Sequence, residues 1–529
     1  MSQPEKSPSE TTSSNSRGPS VGLLRSSSIV SLMTLLSRVL GLIRDMVVAQ
    51  YFGARADAFL VAFKIPNFFR RLFAEGAFSV AFVPVLSEYR RLQPLDEVRL
   101  LIARVSGVLG TVLLAVTVLA LLFADYLPWI FSPGFRSDPA KFALTGDLLR
   151  ITFPYLLFIS LTAFASSVLN AYGKFAVPAF TPVLLNICLI FATLVMSDWF
   201  AEPLYALAWG VFLAGLVQLV FQLPYVARLG LLVRPQYQPK DEGVKRIVTL
   251  MIPALFGVSV SQINLLLDTL LASFLEAGSV SWLYYSDRLN NLPLGVFAIA
   301  IGVVILPALS GKHAAQEKDG FSRTLDWAVR MVFLIALPAA LALVVLATPL
   351  MATIFFHGEI TAYDIGKMSL SLQAYGCGLL AFMLIKVLAP GYYARQDTKT
   401  PVKIGIQAMV VNMVLNLALV FPLQHAGLAL ATSLSAYYNV YMLYRGLRKQ
   451  GAYEHQSGWM SFGLKLLLAN GLLTALMVWL MGNPQQWLAW TTAYRAGWMT
   501  LIVVASVALY FAVLAAAGLR MRHVRGEVF

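Results

Sequence analysis

Residues 109–127 read LGTVLLAVTVLALLFADYL, a continuous apolar run in which the first charge appears at Asp125. An α-helix rises about 1.5 Å per residue, so roughly 20 apolar residues cross the hydrocarbon core of a bilayer. Strands of membrane barrels are shorter and alternate apolar with polar residues, so this run indicates a membrane-spanning helix. Similar runs recur along the chain, and the sequence therefore predicts an all-α polytopic membrane protein.

The composition supports the same class. The 529 residues are 58% hydrophobic and 12% charged, with a mean hydropathy of +0.72, values that soluble domains of this length do not show. The two cysteines, Cys188 and Cys377, lie in separate apolar runs without a neighbouring histidine or cysteine at metal-binding spacing. Neither a disulfide framework nor a zinc site is therefore indicated.

Hydropathy along the chain predicts fourteen spans, numbered here in chain order. They lie near residues 28–50, 58–86, 100–126, 147–171, 176–198, 203–227, 245–275, 280–309, 324–356, 366–392, 402–422, 426–446, 460–481 and 495–519. The first 25 residues are rich in Ser, Thr and Pro and lack the apolar core of a signal peptide. We expect them to form a disordered cytoplasmic tail.

The basic residues orient these spans. With the N-terminus inside, most loop lysines and arginines fall on the cytoplasmic side, and the segments outside contain only Arg55, Arg136, Lys141, Lys367 and Arg495. This distribution follows the positive-inside rule and places both termini in the cytoplasm. Topology thus accounts for most of the net charge of +14, and a nucleic-acid partner is not needed to explain it.

Landmarks in the first half of the chain recur in the second half at a constant offset. Asp45 and Asp268, and likewise Pro178 and Pro401, are 223 residues apart. Six spans per copy make the two copies parallel, with a cavity between two lobes. The predicted organisation is the tail at 1–25, an N-terminal lobe at 26–228, a cytoplasmic linker at 229–244, a C-terminal lobe at 245–450, and an appended pair of spans with the C-terminus at 451–529.

Spans 1 and 2 contain ionisable residues far from the membrane surface. They are Arg38, Arg44, Asp45, Lys64, Arg70, Arg71 and Glu75. A charge at mid-bilayer costs about 2.5 to 3.5 kcal/mol on insertion scales, so each one needs compensation or a use. Helical spacing places Lys64, Arg71 and Glu75 on one face of span 2. The same spacing aligns Arg38 with Asp45 on span 1, so both spans carry a polar stripe.

The excess of cations on these stripes favours an anionic ligand. Five cations accompany two carboxylates, whereas ion pairs that only fix the packing would be nearly balanced. Span 8 adds Asp287 and Arg288 near its outer end. Because arginine forms forked hydrogen bonds to phosphate or carboxylate, the pattern predicts a cationic cavity that moves a large anionic headgroup. For any single residue, an internal ion pair such as Arg71 with Glu75 stays an alternative.

A second group of oxygen-bearing side chains is predicted in the C-terminal lobe. Asp268 lies on span 7, Asn412 and Asn416 lie one turn apart on span 11, and Thr432 lies on span 12. Oxygen ligands of this kind suit a hard cation, and we consider a Na⁺ site here. Asparagines that hydrogen-bond between helices as packing contacts would give the same pattern, so both interpretations stay open.

Four stretches are more specific than these patterns. They read SRVLGLIRD at 37–45, DAFLVAFKIPNFFRRLFAEGAFSVAFVPVLSEY at 57–89, FGVSVSQINLLLDTLLASFLEAGSVSWLYYSDRLNNLPLGVF at 256–297, and KVLAPGYYARQDTKTPVK at 386–403. Together they closely resemble the MurJ (MviN) family, bacterial lipid II flippases of the multidrug/oligosaccharidyl-lipid/polysaccharide (MOP) exporter superfamily. The resemblance extends from about residue 26 to the C-terminus.

The resemblance implies a fold and a set of site residues. It implies fourteen helices, two six-helix lobes in a V, a cationic central cavity, and a groove for the polyprenyl tail at spans 13 and 14. The family's functional residues match Arg38, Arg44, Asp57, Arg70, Arg71 and Arg288. Lys64 and Glu75 share the stripe on span 2 and join them as expected substrate-binding residues. The loop before Asp57 is shorter than the family's usual spacing.

The resemblance also implies the activity. The chain would carry lipid II, the undecaprenyl-pyrophosphate-linked disaccharide-pentapeptide, from the inner to the outer leaflet of the bacterial cytoplasmic membrane for peptidoglycan synthesis. It would be a transporter without a cofactor, driven by membrane potential or by Na⁺ at the second group, with membrane lipids and other cell-wall synthesis proteins as candidate partners.

Other functions fit the sequence less well. Another MOP exporter, for polysaccharide lipids or for drugs, is the main alternative, but a cavity for cationic drugs would be acidic or aromatic. A membrane glycosyltransferase would normally need a carboxylate cluster at a membrane face or a sizeable extramembrane domain, and no loop here is long enough for one. A transporter-like scaffold would not need so many buried cations.

Overall fold

The computed structural model describes residues 19–71, 78–295 and 299–519, and the regular structure in these ranges is entirely helical, which confirms the predicted fold class. The first nine helices are α1 (Pro19–Phe52), α2 (Asp57–Phe69), α3 (Ser79–Leu92), α4 (Leu95–Leu122), α5 (Leu127–Phe131), α6 (Pro139–Thr152), α7 (Tyr155–Ala171), α8 (Ala176–Phe191) and α9 (Leu204–Arg228). Next come α10 (Glu242–Ser273), α11 (Ser279–Pro293), α12 (Ile299–Ala314), α13 (Lys318–Val345), α14 (Ala347–Phe355), α15 (Ala362–Tyr393), α16 (Lys399–Lys449), α17 (Trp459–Met481), α18 (Gln486–Ala489) and α19 (Thr492–Ala516).

Nine helical segments within the described ranges are long and apolar enough to cross a membrane. They are Leu95–Leu122, Pro139–Ala171, Ala176–Trp199, Leu204–Arg228, Lys318–Val345, Ala362–Tyr393, Lys399–Lys449, Trp459–Met481 and Thr492–Ala516. The charged or short helices α1, α2 and α11 are not among the nine. The predicted total of fourteen spans therefore stays a prediction.

The 51 residues of α16 form two antiparallel halves. As one straight helix they would measure about 75 Å, far more than a bilayer is thick. Gln424, with φ of +52°, interrupts the helical backbone, and Asn412 Nδ2 donates to Thr432 Oγ1 at 3.4 Å from the opposite half. The chain thus reverses near Gln424, which agrees with the two spans predicted for this segment.

One segment differs from its predicted bounds, and another is described only in part. The span predicted at 58–86 contains α2 and α3, and residues 72–77 between them lie outside the described residues. Glu75 therefore lies outside the described residues. Helix α1 begins at Pro19, within the tail predicted at 1–25.

The buried apolar residues join the two lobes at one end. Phe59 and Leu60 of α2 belong to the same cluster as Val280 and Leu283 of α11 and Tyr375 of α15. This is the end that the predicted topology places outside, and it is called the outer end below. A second cluster, at the inner ends, unites α3, α4, α7 and α9 with the start of α10. Helices α17 and α19 pack against α13 and α14.

Candidate substrate cavity and gates

Two arginines from different lobes share one buried carboxylate. Asp45, on α1, is 2% exposed. Its Oδ1 accepts hydrogen bonds from Arg44 Nε at 3.0 Å and from the Tyr284 hydroxyl at 3.1 Å, and its Oδ2 lies 2.8 Å from Arg288 Nε. Arg44 also donates to Asn186 Oδ1 of α8 at 3.2 Å. Because one carboxylate faces two guanidinium groups, this cluster leaves one net positive charge at the boundary between the lobes.

Two glycines make room for the arginines that cross this boundary. At Gly41 on α1, the direction that a side chain would take is occupied by the guanidinium of Arg288. At Gly295, just after α11, the same direction is occupied by the guanidinium of Arg38. In both places a methyl group would overlap the arginine. Each lobe thus provides an arginine that lies over a glycine of the other lobe.

Asp57 joins the lobes at the outer end. Its carboxylate, 1% exposed, accepts hydrogen bonds from the backbone N–H of Gly278 at 2.7 Å and of Ser281 at 2.8 Å, and from the Ser281 hydroxyl at 2.6 Å. Lys141 Nζ donates to it at 2.8 Å. Gly278, with φ of +100°, precedes the first turn of α11. The partial positive charge of a helix N-terminus stabilises an anion in this position.

The predicted cations of span 2 do not converge on one point. Lys64 Nζ donates to Thr269 Oγ1 of α10 at 2.8 Å. Arg70 follows the end of α2, where its Nε donates to Asn67 Oδ1 at 2.9 Å, and Arg71 is exposed. At about 1.5 Å per residue, these two arginines lie roughly 10 Å along the helix from Lys64. Arg38, Arg44 and Arg288 therefore form one group at the lobe boundary, and the cations of span 2 extend from it toward α3.

The four residues of the predicted cation site do come together. Asn416 Nδ2 donates to Asp268 Oδ1 at 2.7 Å and to Asn412 Oδ1 at 3.1 Å, and Asn412 Nδ2 donates to Thr432 Oγ1 at 3.4 Å. Both asparagines are fully buried. Within the described ranges, the buried Asn416 Oδ1 has no hydrogen-bond partner. An unpaired carbonyl oxygen beside a carboxylate fits a hard cation, although the amide contacts by themselves also fit the packing interpretation.

At the inner end the lobes meet through an exposed ion pair. Arg246 of α10 donates to both carboxylate oxygens of Glu88 on α3, at 2.9 and 2.7 Å. These hydrogen bonds lower the pKa of Glu88, so its carboxylate is charged at neutral pH. Both side chains are about half exposed, unlike the buried groups at the outer end.

Several residues of these contacts were not expected from the sequence. Lys141 was counted only as a basic residue of an outside loop, yet it binds Asp57. Tyr284 and Asn186, which contact the Arg44 and Asp45 pair, carry no charge to single them out. The signal available for Ser281 was the Gly-Ser sequence at the start of α11, which is typical of a helix N-terminus.

Comparison with known proteins adds a family to this geometry. Residues 48–510 match the family model described as Lipid II flippase MurJ. A relative from Vibrio cholerae serotype O1, named probable lipid II flippase MurJ, is 51% identical over 512 residues, which cover 95% of this chain and 98% of the relative.

Solved structures agree in fold. The structure of lipid II flippase MurJ in an inward closed conformation superposes with a TM-score of 0.78 at 26% identity, over 92% of this chain and 98% of that one. A multidrug resistance MATE family transporter of the MOP superfamily, in an inward-facing conformation, gives a TM-score of 0.68 at 14% identity, over 80% of this chain and 98% of that one. The match to the family model and the identity to the relative extend over nearly the whole chain, and the chain belongs to the lipid II flippase MurJ family.

Proposed function

We propose that this chain is a lipid II flippase, a transporter and not an enzyme, which moves the lipid-linked peptidoglycan precursor from the cytoplasmic to the periplasmic leaflet. Membership of the family supports the activity, and the many apolar helices support a multi-pass protein of the inner membrane. The observation that carries the proposal is the meeting of Arg44 and Arg288, from different lobes, at the single carboxylate of Asp45.

The net positive charge of this cluster defines what it binds. A pyrophosphate offers several acceptor oxygens and two or more negative charges, and guanidinium groups bind such anions through paired hydrogen bonds. The headgroup would compete with Asp45 for Arg44 and Arg288, while Arg38 adds a third guanidinium nearby. Lys64, Arg70 and Arg71 extend the cationic surface along α2 toward the leaflet from which the substrate enters.

Competition for the shared carboxylate links binding to movement of the lobes. With the headgroup absent, Asp45 holds Arg288 across the boundary and Asp57 holds the start of α11. A bound anion that forms hydrogen bonds with Arg288 would weaken the contact between Arg288 and Asp45. The contact between Asp57 and the start of α11 would then still have to break. A ligand shifts a conformational equilibrium only through such differential contacts. Asp57 therefore acts as a gate residue, and we place Glu75 among the groups that tune the site.

Two sources of energy fit the charges present. The membrane potential would act on the cavity cations, since moving one charge through 100 mV changes the energy by about 2.3 kcal/mol. Alternatively, a Na⁺ ion would be held by Asp268, Asn412, Asn416 and Thr432. Asp268 would supply a charged carboxylate ligand, and the other three would supply neutral amide and hydroxyl oxygens. Transport that depends on Na⁺ in the wild type and loses this dependence in Asp268→Ala would support the second source. Transport insensitive to Na⁺ in both would exclude it.

The appended helices provide a site for the lipid tail. An apolar groove of about 550 Å³ lies between α13 and α17, lined by residues such as Phe333, Leu337, Phe462 and Leu466. Its walls match a polyprenyl chain and offer little to a headgroup. We place the tail here while the headgroup crosses between the lobes. We also propose that both termini face the cytoplasm and that other cell-wall synthesis proteins are partners.

A drug or polysaccharide-lipid exporter of the same superfamily is less well supported. The MATE transporter shares the fold, which by itself does not define a substrate. The cations at the lobe boundary disfavour cationic drugs, and the relative with 51% identity is named a lipid II flippase.

A leaflet accessibility assay tests the proposal. Lipid II in the outer leaflet is measured in a flippase-depleted strain that produces the wild type, Arg44→Ala, Arg288→Ala or the control Arg55→Ala. Arg55 is exposed, and among the residues described its ion pair is with Glu202 at 3.4 Å. We expect the two cavity variants to reach the membrane yet leave the outer leaflet without lipid II, while Arg55→Ala functions normally. Full activity of Arg44→Ala and Arg288→Ala would contradict the proposal.

A further inference from the structure

A cavity with several polar side chains in its lining lies in the C-terminal lobe beside the Asp268 group. Its volume is about 360 Å³, and it is lined by α10, α15 and both halves of α16, including the polar side chains of Asn264, Thr432, Ser435 and Asn439. A water molecule takes up about 30 Å³ in the liquid, so the cavity has room for several. Thr432 belongs both to the cavity lining and to the proposed cation site, so the two adjoin.

The cavity runs from the cation site toward the inner ends of the helices. Asn264 precedes Asp268 by one turn, and Ser435 and Asn439 follow Thr432 by one and two turns, so each lies on the same helical face as its partner. The far end of the cavity is lined by Tyr393, in the last turn of α15, and Val402, in the first turn of α16. Both residues are about 40% exposed (43% and 42%), at helix ends that the charge distribution places in the cytoplasm.

Two carbonyl oxygens along this path have unused hydrogen-bonding capacity. Oδ1 of Asn264, in the cavity lining, and Oδ1 of Asn416, in the cation site, are buried without a partner among the residues described. A buried acceptor left unpaired costs about 1 to 3 kcal/mol. Water or a cation within the cavity would remove this cost, and both oxygens have the chemistry to replace the hydration shell of a monovalent cation.

We propose that this cavity is the cytoplasmic access route of the cation site. A hydrated monovalent cation reaches Asp268 through the interior of the C-terminal lobe and does not pass through the substrate cavity between the lobes. The ion exchanges with the cytoplasm whether or not a headgroup occupies the site near Arg44. This inference rests on the cation site of the proposed function and specifies how that site is reached.

Thiol labelling from each side of the membrane tests the route. Ser435→Cys is made in a variant whose native cysteines are replaced, Cys188→Ala and Cys377→Ala, and is exposed to the membrane-impermeant cation MTSET in inside-out or right-side-out vesicles. We expect labelling from the cytoplasmic face, several-fold slower in Na⁺ than in choline. The control Ser433→Cys, whose side chain is buried and does not line the cavity, should not react. Asp268→Asn should abolish the protection by Na⁺ and leave the labelling.

A bulky side chain that blocks the cavity provides a second test of the route. Gly405 lines the cavity, and among the described residues no atom beyond its chain neighbours and its own helix backbone lies within 4 Å of the position that a Cβ would take. Gly405→Leu should slow the labelling of Ser435→Cys at least tenfold, whereas Gly110→Leu, at an equally open position of α4, should not. Absence of labelling from the cytoplasmic face, or labelling unchanged by Gly405→Leu, would overturn the route. Labelling blocked by Gly405→Leu but unaffected by Na⁺ would instead overturn the cation site.

Discussion

Individual residues at the lobe boundary depend on one another across two helices. Arg288 reaches Asp45 only because Gly41 has no side chain, and Arg38 reaches α11 only because Gly295 has none. A buried carboxylate between guanidinium groups avoids the cost of an unpaired charge, but it holds both arginines in place only if the helices can approach closely. The glycines are therefore positioning residues for the arginines.

The glycine contacts give the first prediction. Gly41→Ala and Gly295→Ala each place a methyl group where a guanidinium lies, so the arginine must move and its contact across the boundary is weakened. We expect lipid II translocation to fall at least tenfold, equivalent to about 1.4 kcal/mol, at unchanged protein level. Gly311→Ala, at a position with no atom within 4 Å, is the matched control.

Cross-linking at the outer end of the lobe boundary distinguishes a positioning role of the two glycines from a general loss of folding. The backbone N–H of Glu359 donates to the carbonyl of Gln50 across the outer boundary at 2.9 Å, so Gln50→Cys and Glu359→Cys should form a disulfide when the gate is closed. We expect slower cross-linking in Gly41→Ala and Gly295→Ala than in Gly311→Ala. Wild-type rates of cross-linking and transport in both variants would contradict the positioning role.

For individual residues, the sequence predicted which charged side chains belong to the site but not which residues they contact. Their position inside apolar spans singled out Arg38, Arg44 and Arg288, because ionisable residues in such spans are costly and therefore conspicuous. It could not show that Asp45 binds both Arg44 and Arg288, since the second contact depends on how two distant helices pack. Neutral partners such as Tyr284 have no such cost and give no signal.

Among the elements, α11 is fixed by an anion from the other lobe. Asp57 occupies the position of an N-terminal cap for α11, although it belongs to α2. Short connections normally provide a helix with a cap from its own chain, so a cap from another helix ties two elements together. Whenever the outer gate opens, these hydrogen bonds must break.

Asp57→Asn should therefore favour the open outer gate. The amide keeps the shape but loses the charge that Lys141 and the N-terminus of α11 stabilise, and a hydrogen bond to a charged group contributes about 1.5 to 3 kcal/mol. We expect at least tenfold slower cross-linking of Gln50→Cys with Glu359→Cys. The control is Asp138→Asn, an exposed cap of α6 that accepts only within its own helix, and equal rates in the two variants would count against the gate.

A second contact between elements anchors α17 to the C-terminal lobe. Asp326 and Arg330 of α13 are 2% and 1% exposed and form an ion pair at 2.8 Å. Asp326 also accepts hydrogen bonds from the Tyr453 hydroxyl at 2.9 Å and from Trp459 Nε1 at 2.8 Å, and Arg330 donates to the carbonyl of Ser457. The start of α17, beside the proposed tail groove, is thus held by a network centred on a buried ion pair.

Asp326→Ala should destabilise this region strongly. It leaves the Arg330 charge buried without its carboxylate, a change that costs about 3 to 5 kcal/mol. We expect a clear decrease in the midpoint of thermal unfolding of the purified protein in detergent. Glu317→Ala, which removes the exposed pair with Lys312, should change the midpoint little. Equal midpoints for both variants would show that the network does not anchor α17.

The sequence predicted the helices better than the contacts between them. The apolar runs correspond to helices because a membrane allows few other spanning structures, and the reversal at Gln424 was placed between spans 11 and 12. The network at Asp326 depends on packing between segments far apart in the chain. Hydropathy averages over a window and contains no information of that kind.

For the whole molecule, both ends of the lobe boundary combine an apolar cluster with polar contacts, and these polar contacts differ in burial. The outer end has the buried carboxylates of Asp45 and Asp57 beside its apolar cluster. The inner end has an apolar cluster that includes the start of α10, and its ion pair between Glu88 and Arg246 is exposed. Because exposed ion pairs contribute little and are screened by salt, we expect this pair to contribute less to closing the lobes than the buried carboxylates of the outer end.

Reversal of the inner ion pair tests this asymmetry. Glu88→Arg and Arg246→Glu each place like charges together and should reduce translocation, but by no more than about fivefold, since an exposed pair is weak. The double variant restores the attraction and should recover the wild-type rate, and 0.5 M salt should remove the differences. The same exchange in the exposed Lys312 and Glu317 pair, which lies within the C-terminal lobe, should have no effect. A double variant as impaired as the single ones would show that Glu88 and Arg246 act separately, and a loss well above fivefold in the single variants would show that this pair holds the inner end more firmly than an exposed pair should.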